Sequence, residues 1–346
     1  MSVHLNESGQ QVEYRPPPFP FIVACGRSGT TLLRAILDSH PDMAIPPETH
    51  FVAALGRRRR RYERPGGFDR ESFILDLLQA PALQEPGGPL VALGLAEEEA
   101  RAAFASRRPE SYGDAVRCLF QLYANKRGKS RYGNKTPVHV LSLPLLVELV
   151  PEASFIHVIR DGRDVALSYL DLDFGPNTLE EAALRWKRHV RRGRNDGRSL
   201  GPSRYVEVRY EDLVSDTERT VRSMCTFVGL SYEPEMLRFH ERAESIWMGL
   251  DAAAHRNLDR PPTQGLRDWR SEMTRSEVAL FETLAGDLLV ELGYERAIKR
   301  PSTAQRVRAR GRASGAETRR AARAVATRLR RVRNTLVSRT ARAVNR

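Results

Sequence analysis

The stretch that decides the fold is Phe21-Ile22-Val23-Ala24-Cys25-Gly26-Arg27-Ser28-Gly29-Thr30-Thr31-Leu32-Leu33-Arg34-Ala35-Ile36-Leu37. Its first five residues are apolar and predict a buried strand, and its last six have the spacing of an amphipathic helix. The two glycines let the backbone come close to an anion, and the start of the helix offers unpaired N–H groups and the positive end of its dipole. The pattern predicts a turn that binds phosphate, with further donors from the hydroxyls of Ser28, Thr30 and Thr31.

The turn lacks a residue that nucleoside triphosphate loops carry. Those loops place a lysine directly after their second glycine, whereas Thr30 follows Gly29 here. A Mg-dependent phosphoryl transferase also needs a carboxylate at the end of a second strand, but Arg160 follows the apolar segment 155–159. We therefore expect a phosphate-bearing ligand that is bound without a metal ion.

Two motifs occur in a recognisable order. The first is the strand and Gly-Arg-Ser-Gly-Thr-Thr-Leu-Leu-Arg, followed by Asp38-Ser39-His40-Pro41 and Pro47-Glu48-Thr49. The second is Ile159-Arg160-Asp161-Gly162-Arg163-Asp164-Val165-Ala166-Leu167-Ser168. Together they resemble the sulfotransferases that use 3′-phosphoadenosine 5′-phosphosulfate (PAPS), most closely those of the tyrosylprotein and bacterial types. The resemblance covers residues 19–294, and it implies PAPS as co-substrate with no metal.

The resemblance also implies three roles in the transfer of a sulfuryl group. Arg27 and the amides of the turn would hold the phosphosulfate end, Glu48 would accept the proton of the acceptor, and Lys135 would stabilise the leaving oxygen. Read from the residues alone, capping of a helix is the alternative for Glu48, His50 is a rival base, and a surface position before a proline turn is the alternative for Lys135. A glutamate that acts as base benefits from partial burial, which raises its pKa.

The remaining predicted contacts with the donor follow from the same resemblance. Arg160 and Ser168 would bind the 3′-phosphate, Tyr210 would reach the nucleotide, and Arg260 would make a second phosphate contact. For Tyr210, a packed aromatic ring at a strand end is the alternative. The complete predicted donor-binding set is Gly26, Arg27, Ser28, Gly29, Thr30, Thr31, Arg160, Ser168, Tyr210 and Arg260.

The predicted fold class is α/β, a parallel sheet flanked by helices with a P-loop-like phosphate-binding turn, a helical cap and a basic C-terminal helix or tail. The chain has 346 residues, of which 41% are apolar, enough for one large domain or two modest ones. Short apolar segments that predict strands alternate with long helical patterns, which is typical of such a sheet. The predicted strands are residues 21–25, 131–134, 155–159 and 204–208, and the clearest predicted helices are 73–78, 112–123 and 178–192.

Three segments are predicted along the chain. Residues 1–15 form a mobile start, residues 16–298 form the sulfotransferase domain, and residues 299–346 form a basic amphipathic tail. Within the domain, residues 51–129 are predicted to form a helical cap that recognises the acceptor. Trp186 is predicted to lie in the core, and Arg163 to pair with a neighbouring carboxylate.

The net charge of +13 belongs to the tail, because residues 299–346 carry 16 basic side chains and one acid, Glu317. Residues 316–346 contain no glycine or proline, and Ala322, Val325, Leu329, Val332 and Leu336 recur at helical spacing. A basic amphipathic helix can lie on an anionic membrane, dock on a partner or follow nucleic-acid phosphates, and a disordered tail fits the sequence as well. We expect peripheral contact with an anionic membrane through residues 316–346 and no specific nucleic acid.

The cysteines and the hydropathy indicate the compartment. Cys25, Cys118 and Cys225 are too few and too scattered for a disulfide framework or a zinc site, and we expect them to be buried and reduced. No apolar run approaches about 18 residues, and residues 1–11 lack the apolar core of a signal peptide. We expect a cytoplasmic protein, peripheral to a membrane if the tail binds one.

The five consecutive arginines at residues 57–61 fit a solvated helix face or loop. If they border the cleft instead, they would favour an acidic acceptor.

The sequence therefore predicts an enzyme that moves the sulfuryl group of PAPS to a hydroxyl or amine. Carbohydrate, glycolipid and small natural products are the expected acceptors. Tyrosine is discounted, because the resembled tyrosylprotein enzymes work behind a membrane anchor that this chain lacks. The alternatives are a P-loop kinase-like phosphotransferase, and a non-enzymatic protein that binds membranes or nucleic acids through its tail.

Overall fold

The structure is a computed structural model. It describes residues 3–5, 11–13, 17–79, 88–172, 175–242, 260–263, 265 and 267–344. For residues 3–5, 11–13, 79, 242, 324 and 327–344 it describes the backbone alone.

Ten strands are present in the described part of the chain. In chain order they are β1 Val3–Leu5, β2 Gln11–Glu13, β3 Phe19–Ala24, β4 Met43–Ala44, β5 Glu63–Arg64, β6 Gly67–Phe68, β7 Arg131–Tyr132, β8 Asn134–Lys135, β9 Ala153–Ile159 and β10 Tyr205–Arg209. Four of them form the main sheet in the order β10-β9-β3-β8, and every neighbouring pair is parallel. The remaining strands form the pairs β1-β2, β4-β7 and β5-β6.

The described helices lie between and after the strands along the chain and are numbered in chain order. They are α1 Thr30–Asp38, α2 Phe51–Gly56, α3 Arg70–Gln79, α4 Gly88–Ala92, α5 Glu97–Arg107, α6 Tyr112–Asn125, α7 Leu143–Leu149, α8 Gly162–Leu170, α9 Leu179–Arg198, α10 Tyr210–Ser215, α11 Thr217–Val228, α12 Trp269–Glu272, α13 Arg275–Glu291 and α14 Thr303–Val344. Short 3₁₀ helices cover Arg59–Arg61, Pro137–Leu141 and Pro234–Arg242.

The chain divides into two compact units. The first contains residues 1–160 and 189–266, and the second contains residues 161–188 and 267–346. All four strands of the main sheet belong to the first unit. The predicted boundaries at residues 15 and 298 follow another division and stay predictions.

Strand β3 is buried along its whole length, and its side chains contribute to two hydrophobic clusters of the first unit. Because successive side chains of a strand point to opposite faces, Phe19, Phe21 and Val23 join the cluster that contains helix α6, whereas Ile22 and Ala24 join the cluster that contains helices α1 and α11. Both faces of the sheet are therefore covered, which is the environment that purely parallel sheets require. The predicted α/β class is confirmed.

The register of the sheet brings four strand ends to one edge. Ala24 of β3 lies beside Val158 of β9, and Ile159 of β9 lies beside Arg209 of β10. On the other side of β3, Ile22 pairs with Lys135, the last residue of β8. Ligands of open α/β sheets bind outside the carboxyl ends of the strands, so this edge is where a site is expected.

One predicted strand was wrong in its extent. Residues 131–134 form no single strand, because β7 pairs with β4 and β8 pairs with β3. Gly133 lies between them, and a side chain there would come within 3.1 Å of the backbone oxygen of Pro20. Because glycine has no side chain, the chain can pass close to Pro20 here as it moves from the β4-β7 pair to the main sheet. The other three predicted strands are confirmed to within two residues at each end.

In the second unit, a buried ion network joins helices α8 and α13. Arg163, on α8, makes ion pairs of 2.7 Å with both Asp161 and Glu282, and its guanidinium lies 3.5 Å from the centre of the Trp269 ring. The predicted pairing of Arg163 with a neighbouring carboxylate is confirmed. The predicted core position of Trp186 is also confirmed, since that side chain is completely buried.

The basic tail is helical in the structure, since α14 runs for 42 residues. The three cysteines are free and buried, as predicted. Within the described residues, no helix is both long enough and apolar enough to cross a membrane.

Candidate active site

The turn between β3 and α1 has the backbone geometry that its sequence predicts. Gly29 caps α1 with φ of 91°, in the left-handed region that glycine adopts without strain. Arg27 also has a positive φ, 69°, which is uncommon for a residue with a side chain. The Ser28 hydroxyl donates to the carbonyl of Cys25 at 2.7 Å, and this hydrogen bond stabilises the turn.

Tyr210 lies directly against this turn. A Cβ atom added to Gly29 would lie 2.3 Å from Cδ2 of Tyr210, so the ring fills the space that a side chain at position 29 would need. The guanidinium of Arg160 lies 4.4 Å from the centre of the same ring, a distance typical of a cation–π contact. The ends of β3, β9 and β10 thus bring Gly29, Arg160 and Tyr210 together.

On the opposite side of β3, the predicted base and the predicted lysine form an ion pair. Lys135 Nζ lies 3.0 Å from Glu48 Oε1, and the lysine is completely buried although the carboxylate keeps 30% of its side-chain surface exposed. The same ammonium group lies 3.5 Å from the Thr31 hydroxyl in the first turn of α1. His50 Nε2 lies 3.2 Å from the second oxygen of Glu48. The surface position considered for Lys135 is therefore wrong.

Glu48 caps no helix. Helix α2 begins at Phe51, its cap residue is His50, and it has no side-chain cap at its N-terminus. The carboxylate of Glu48 instead accepts from Lys135 and contacts His50.

The expected direction of the Glu48 pKa shift is also wrong. Burial raises the pKa of this carboxyl, but the positive charge of Lys135 and the contacts with His50 outweigh burial and hold the pKa well below its ordinary value of 4.5. Glu48 is therefore ionised throughout the neutral range.

A second layer of hydrogen bonds holds Glu48 and Lys135 together. The residues on either side of Lys135 both bond to Thr49, which follows Glu48. Asn134 donates its side-chain amide to the Thr49 hydroxyl, and the backbone N–H of Thr49 donates to the Thr136 hydroxyl at 3.0 Å. Sequence reasoning missed these three positions, because no local pattern links residues separated by more than 80 positions.

His139 is a further group that the sequence did not single out. It is buried in the 3₁₀ helix after Lys135, and its ring centre lies 6.2 Å from that of Phe21. Burial, followed by the charge of His50, lowers its pKa to about 3. His139 is therefore neutral at physiological pH.

Two predicted donor contacts, Ser168 and Arg260, belong to other parts of the chain. Ser168 is half-buried on α8, in the second unit, and this helix begins at Gly162 with Asp161 as its cap. Arg260 is exposed in the first unit and follows residues 243–259, which lie outside the described part. Their roles stay predictions.

The five arginines at residues 57–61 directly follow helix α2. Arg57 donates to the Ser142 hydroxyl at 2.6 Å, Arg59 pairs with Glu148, and Arg61 lies 3.3 Å from Asp76. Several of these charges are thus compensated by neighbouring side chains, and a role in binding an acidic acceptor stays a prediction.

The described residues contain no group of three or more His, Cys, Asp or Glu side chains that could hold a metal ion.

A comparison with protein families decides the class of this site. The profile of the sulfotransferase family matches residues 18–234, a stretch that contains the turn, Glu48, Lys135, Arg160 and Tyr210. The chain belongs to the sulfotransferase family. The predicted membership of the PAPS-dependent sulfotransferases is confirmed, and the phosphotransferase and non-enzymatic alternatives are wrong.

Individual relatives of this sulfotransferase are distant. It is 28% identical to protein-tyrosine sulfotransferase 2 of Gallus gallus over 238 residues, which cover 66% of this chain and 57% of the chicken protein. It is 27% identical to the nodulation protein NoeE of Sinorhizobium fredii over 327 residues, which cover 82% of this chain and 67% of NoeE.

Among solved structures, the sulfotransferase domain of the Synechococcus PCC 7002 olefin synthase matches with a TM-score of 0.57 and 23% identity. The match covers 85% of this chain and 99% of that domain. At this identity, the match shows the fold alone.

Proposed function

We propose that this sulfotransferase moves the sulfuryl group of PAPS to a hydroxyl or amine of its acceptor, without a metal ion, and that Glu48 accepts the proton. The observation that carries the proposal is the contact from Thr31 through Lys135 to Glu48, which starts in the first turn of α1 and ends at a partly exposed carboxylate. A site of this kind joins an anion-binding turn to a proton acceptor.

The residues at the sheet edge suit a donor with several phosphate groups. In the first turn of α1, the backbone N–H groups have no partner within the helix and face its N-terminal end. Arg27 and Arg160 add two guanidinium groups, which bind phosphate through paired hydrogen bonds. Tyr210 offers an aromatic face beside Gly29, and Ser168 and Arg260 remain the proposed additional contacts.

PAPS, when bound, supplies an activated sulfuryl group whose departure leaves negative charge on a phosphate oxygen. Lys135 is placed to stabilise that charge, because it is buried and touches the first turn of α1 through Thr31. Glu48 is ionised, so it can accept a proton without first losing one. His50 contacts the second oxygen of Glu48 and orients the carboxylate.

The acceptor classes have to be widened. The exclusion of tyrosine depends on the absence of a membrane anchor, and no such absence follows from where a sequence begins. A similar protein is named a protein-tyrosine sulfotransferase, so we place the tyrosine hydroxyl beside carbohydrate, glycolipid and small natural product.

We also propose that the reaction takes place in the cytoplasm. The three free, buried cysteines are in keeping with a reducing compartment.

The test is incubation of the purified protein with PAPS labelled with ³⁵S and fractionated extracts, following the label into lipid, glycan, protein and small-molecule pools. We expect label in one pool, with no requirement for Mg²⁺ and no effect of EDTA. A Mg²⁺-dependent transfer, or no transfer to any pool although the nucleotide binds, would contradict the proposal.

A further inference from the structure

Helix α14 presents two faces of different character. Ala309 and Ala316 are buried and lie seven residues apart, so they share one face of the helix, and through this part of its length α14 packs against α13. Two arginines further along also bind the body of the second unit. Arg319 pairs with both Glu180 and Glu181, and Arg323 pairs with Glu181.

The opposite face carries no charged residue, and its side chains are exposed where the structure describes them, between Ala304 and Val325. Val307 lies two residues from Ala309, about 160° around the helix axis, and Val325 lies five full turns beyond Val307 on the same line. These valines are 63% and 59% exposed, so both are accessible to solvent. The line passes only through uncharged positions, which are Ala304, Val307, Gly311, Ser314, Thr318, Ala322, Val325, Leu329, Val332, Leu336, Thr340 and Ala343.

This line differs from the rest of the helix in charge and extent. Continued over α14, it is about 60 Å long at about 1.5 Å per residue. From Thr318 to Arg346 the chain has ten arginines and no acidic residue, and none of these arginines falls on the line. An uncharged stripe with arginines on both flanks is the pattern of helices that lie in the surface of an anionic bilayer.

We propose that α14 is a membrane-surface element, which docks on its own protein through Ala309 and Ala316 and binds the headgroups of anionic lipids with the opposite face. In this position the arginines on the flanks reach phosphate groups while the stripe enters the boundary with the acyl chains.

The charge distribution argues against two other partners for the stripe, a second copy of the helix and a nucleic acid. A second copy of the helix paired along the stripe would bring arginines against arginines, with no carboxylate after Glu317 to compensate them. A nucleic acid would use the arginines but would gain nothing from the valine and leucine positions.

The test is co-sedimentation of the full chain with vesicles of phosphatidylcholine and phosphatidylglycerol, and with vesicles of phosphatidylcholine alone. The stripe variant is Val325→Asp with Leu329→Asp. Its matched control is Asn334→Asp with Ser338→Asp, which introduces the same charge on the side of the helix that continues the Ala309 and Ala316 line. We expect binding to anionic vesicles only, a loss of about tenfold or more in the stripe variant, and a loss below about threefold in the control.

Three outcomes would overturn the proposal. Equal losses in the two variants would mean that charge alone is responsible. Binding to duplex DNA at physiological salt without vesicle binding would assign the helix to nucleic acid. Dimerisation that the stripe variant abolishes, again without vesicle binding, would assign the stripe to a second copy. Binding of 3′,5′-bisphosphoadenosine should be equal in all variants, so failure of this proposal is separate from failure of the proposed sulfotransfer.

Discussion

At the scale of the residue, the account depends on the carboxylate of Glu48. Lys135 and His50 engage its two oxygens, and its pKa is lowered although burial opposes this shift. The partners could not be predicted from the sequence, because Lys135 is separated from Glu48 by 87 positions. The motif around Glu48 predicts a catalytic carboxylate, but only the fold shows that the ammonium group of Lys135 lies beside it.

Replacing this carboxylate tests its role as base. We expect Glu48→Gln to lower kcat by about 10²-fold to 10⁴-fold, the usual contribution of a general base. The amide can still accept from Lys135, so the affinity for 3′,5′-bisphosphoadenosine should change less than about threefold. The measurement is turnover of labelled PAPS with an identified acceptor, together with calorimetry of the nucleotide.

The rival base provides the comparison for this variant. His50→Asn should lower kcat less than Glu48→Gln, because it removes a group that orients the carboxylate. A variant at position 48 with nearly normal kcat, combined with an inactive variant at position 50, would move the role of base to His50.

Two buried histidines give the protein a defined sensitivity to acid. Burial lowers the pKa of His139 and of His157 to about 3, from an ordinary value of 6.5. Below about pH 6.5 the unfolded chain binds a proton at each histidine, whereas the folded protein does not until about pH 3. Each histidine should therefore remove about 1.4 kcal/mol from the free energy of unfolding per pH unit within this range.

Urea unfolding at several pH values between 7 and 4 measures this effect. The double variant His139→Gln, His157→Gln should lose stability less steeply than the wild-type protein as the pH falls. The two stabilities should differ by a constant amount above pH 7. Parallel curves down to pH 4 would show that these histidines do not set the acid response.

At the scale of the element, the register of the sheet converts separate motifs into one site. Four parallel strands end at the same edge, so the turn, Lys135, Arg160 and Tyr210 come together although they are far apart in the chain. The long elements could be predicted, because β3 is a continuous apolar run, β9 is mostly apolar and α6 has a helical apolar pattern. Strands β4, β7 and β8 have two residues each, too few for a periodicity, and exist through their pairing.

The contact between the turn and Tyr210 can be tested at Gly29. Gly29→Ala places a methyl group within the Tyr210 ring and a side chain at positive φ, so we expect a loss of about 2 to 4 kcal/mol in the free energy of unfolding. Gly128→Ala is the matched control. It also has a positive φ, 66°, but has no atom within 4 Å of the added carbon, and it should cost about 1 kcal/mol.

Urea unfolding and calorimetry with 3′,5′-bisphosphoadenosine measure both variants. The nucleotide affinity should fall in Gly29→Ala and stay unchanged in Gly128→Ala. Equal stability losses would mean that Tyr210 does not pack against the turn as the structure describes.

At the scale of the whole molecule, charge and chemistry are separated along the chain. The predicted site residues lie between positions 26 and 260, whereas the net positive charge of the chain comes from the residues after 298. The sequence indicated the apolar spacing of the tail but left a helix and a disordered segment as alternatives, and the structure shows a helix. The sequence could not predict which face docks, because that depends on the burial of Ala309 and Ala316 against the body.

The central claim is that the turn between β3 and α1 binds an adenosine bisphosphate without a divalent cation. Calorimetric titration of 3′,5′-bisphosphoadenosine into the folded, full-length protein in the presence of EDTA tests it most directly. We expect saturable binding at one site, unchanged when Mg²⁺ is added and weakened about tenfold or more in Arg160→Ala, which removes a charged contact with phosphate. No heat of binding to the folded protein, or binding that requires Mg²⁺, would contradict the account.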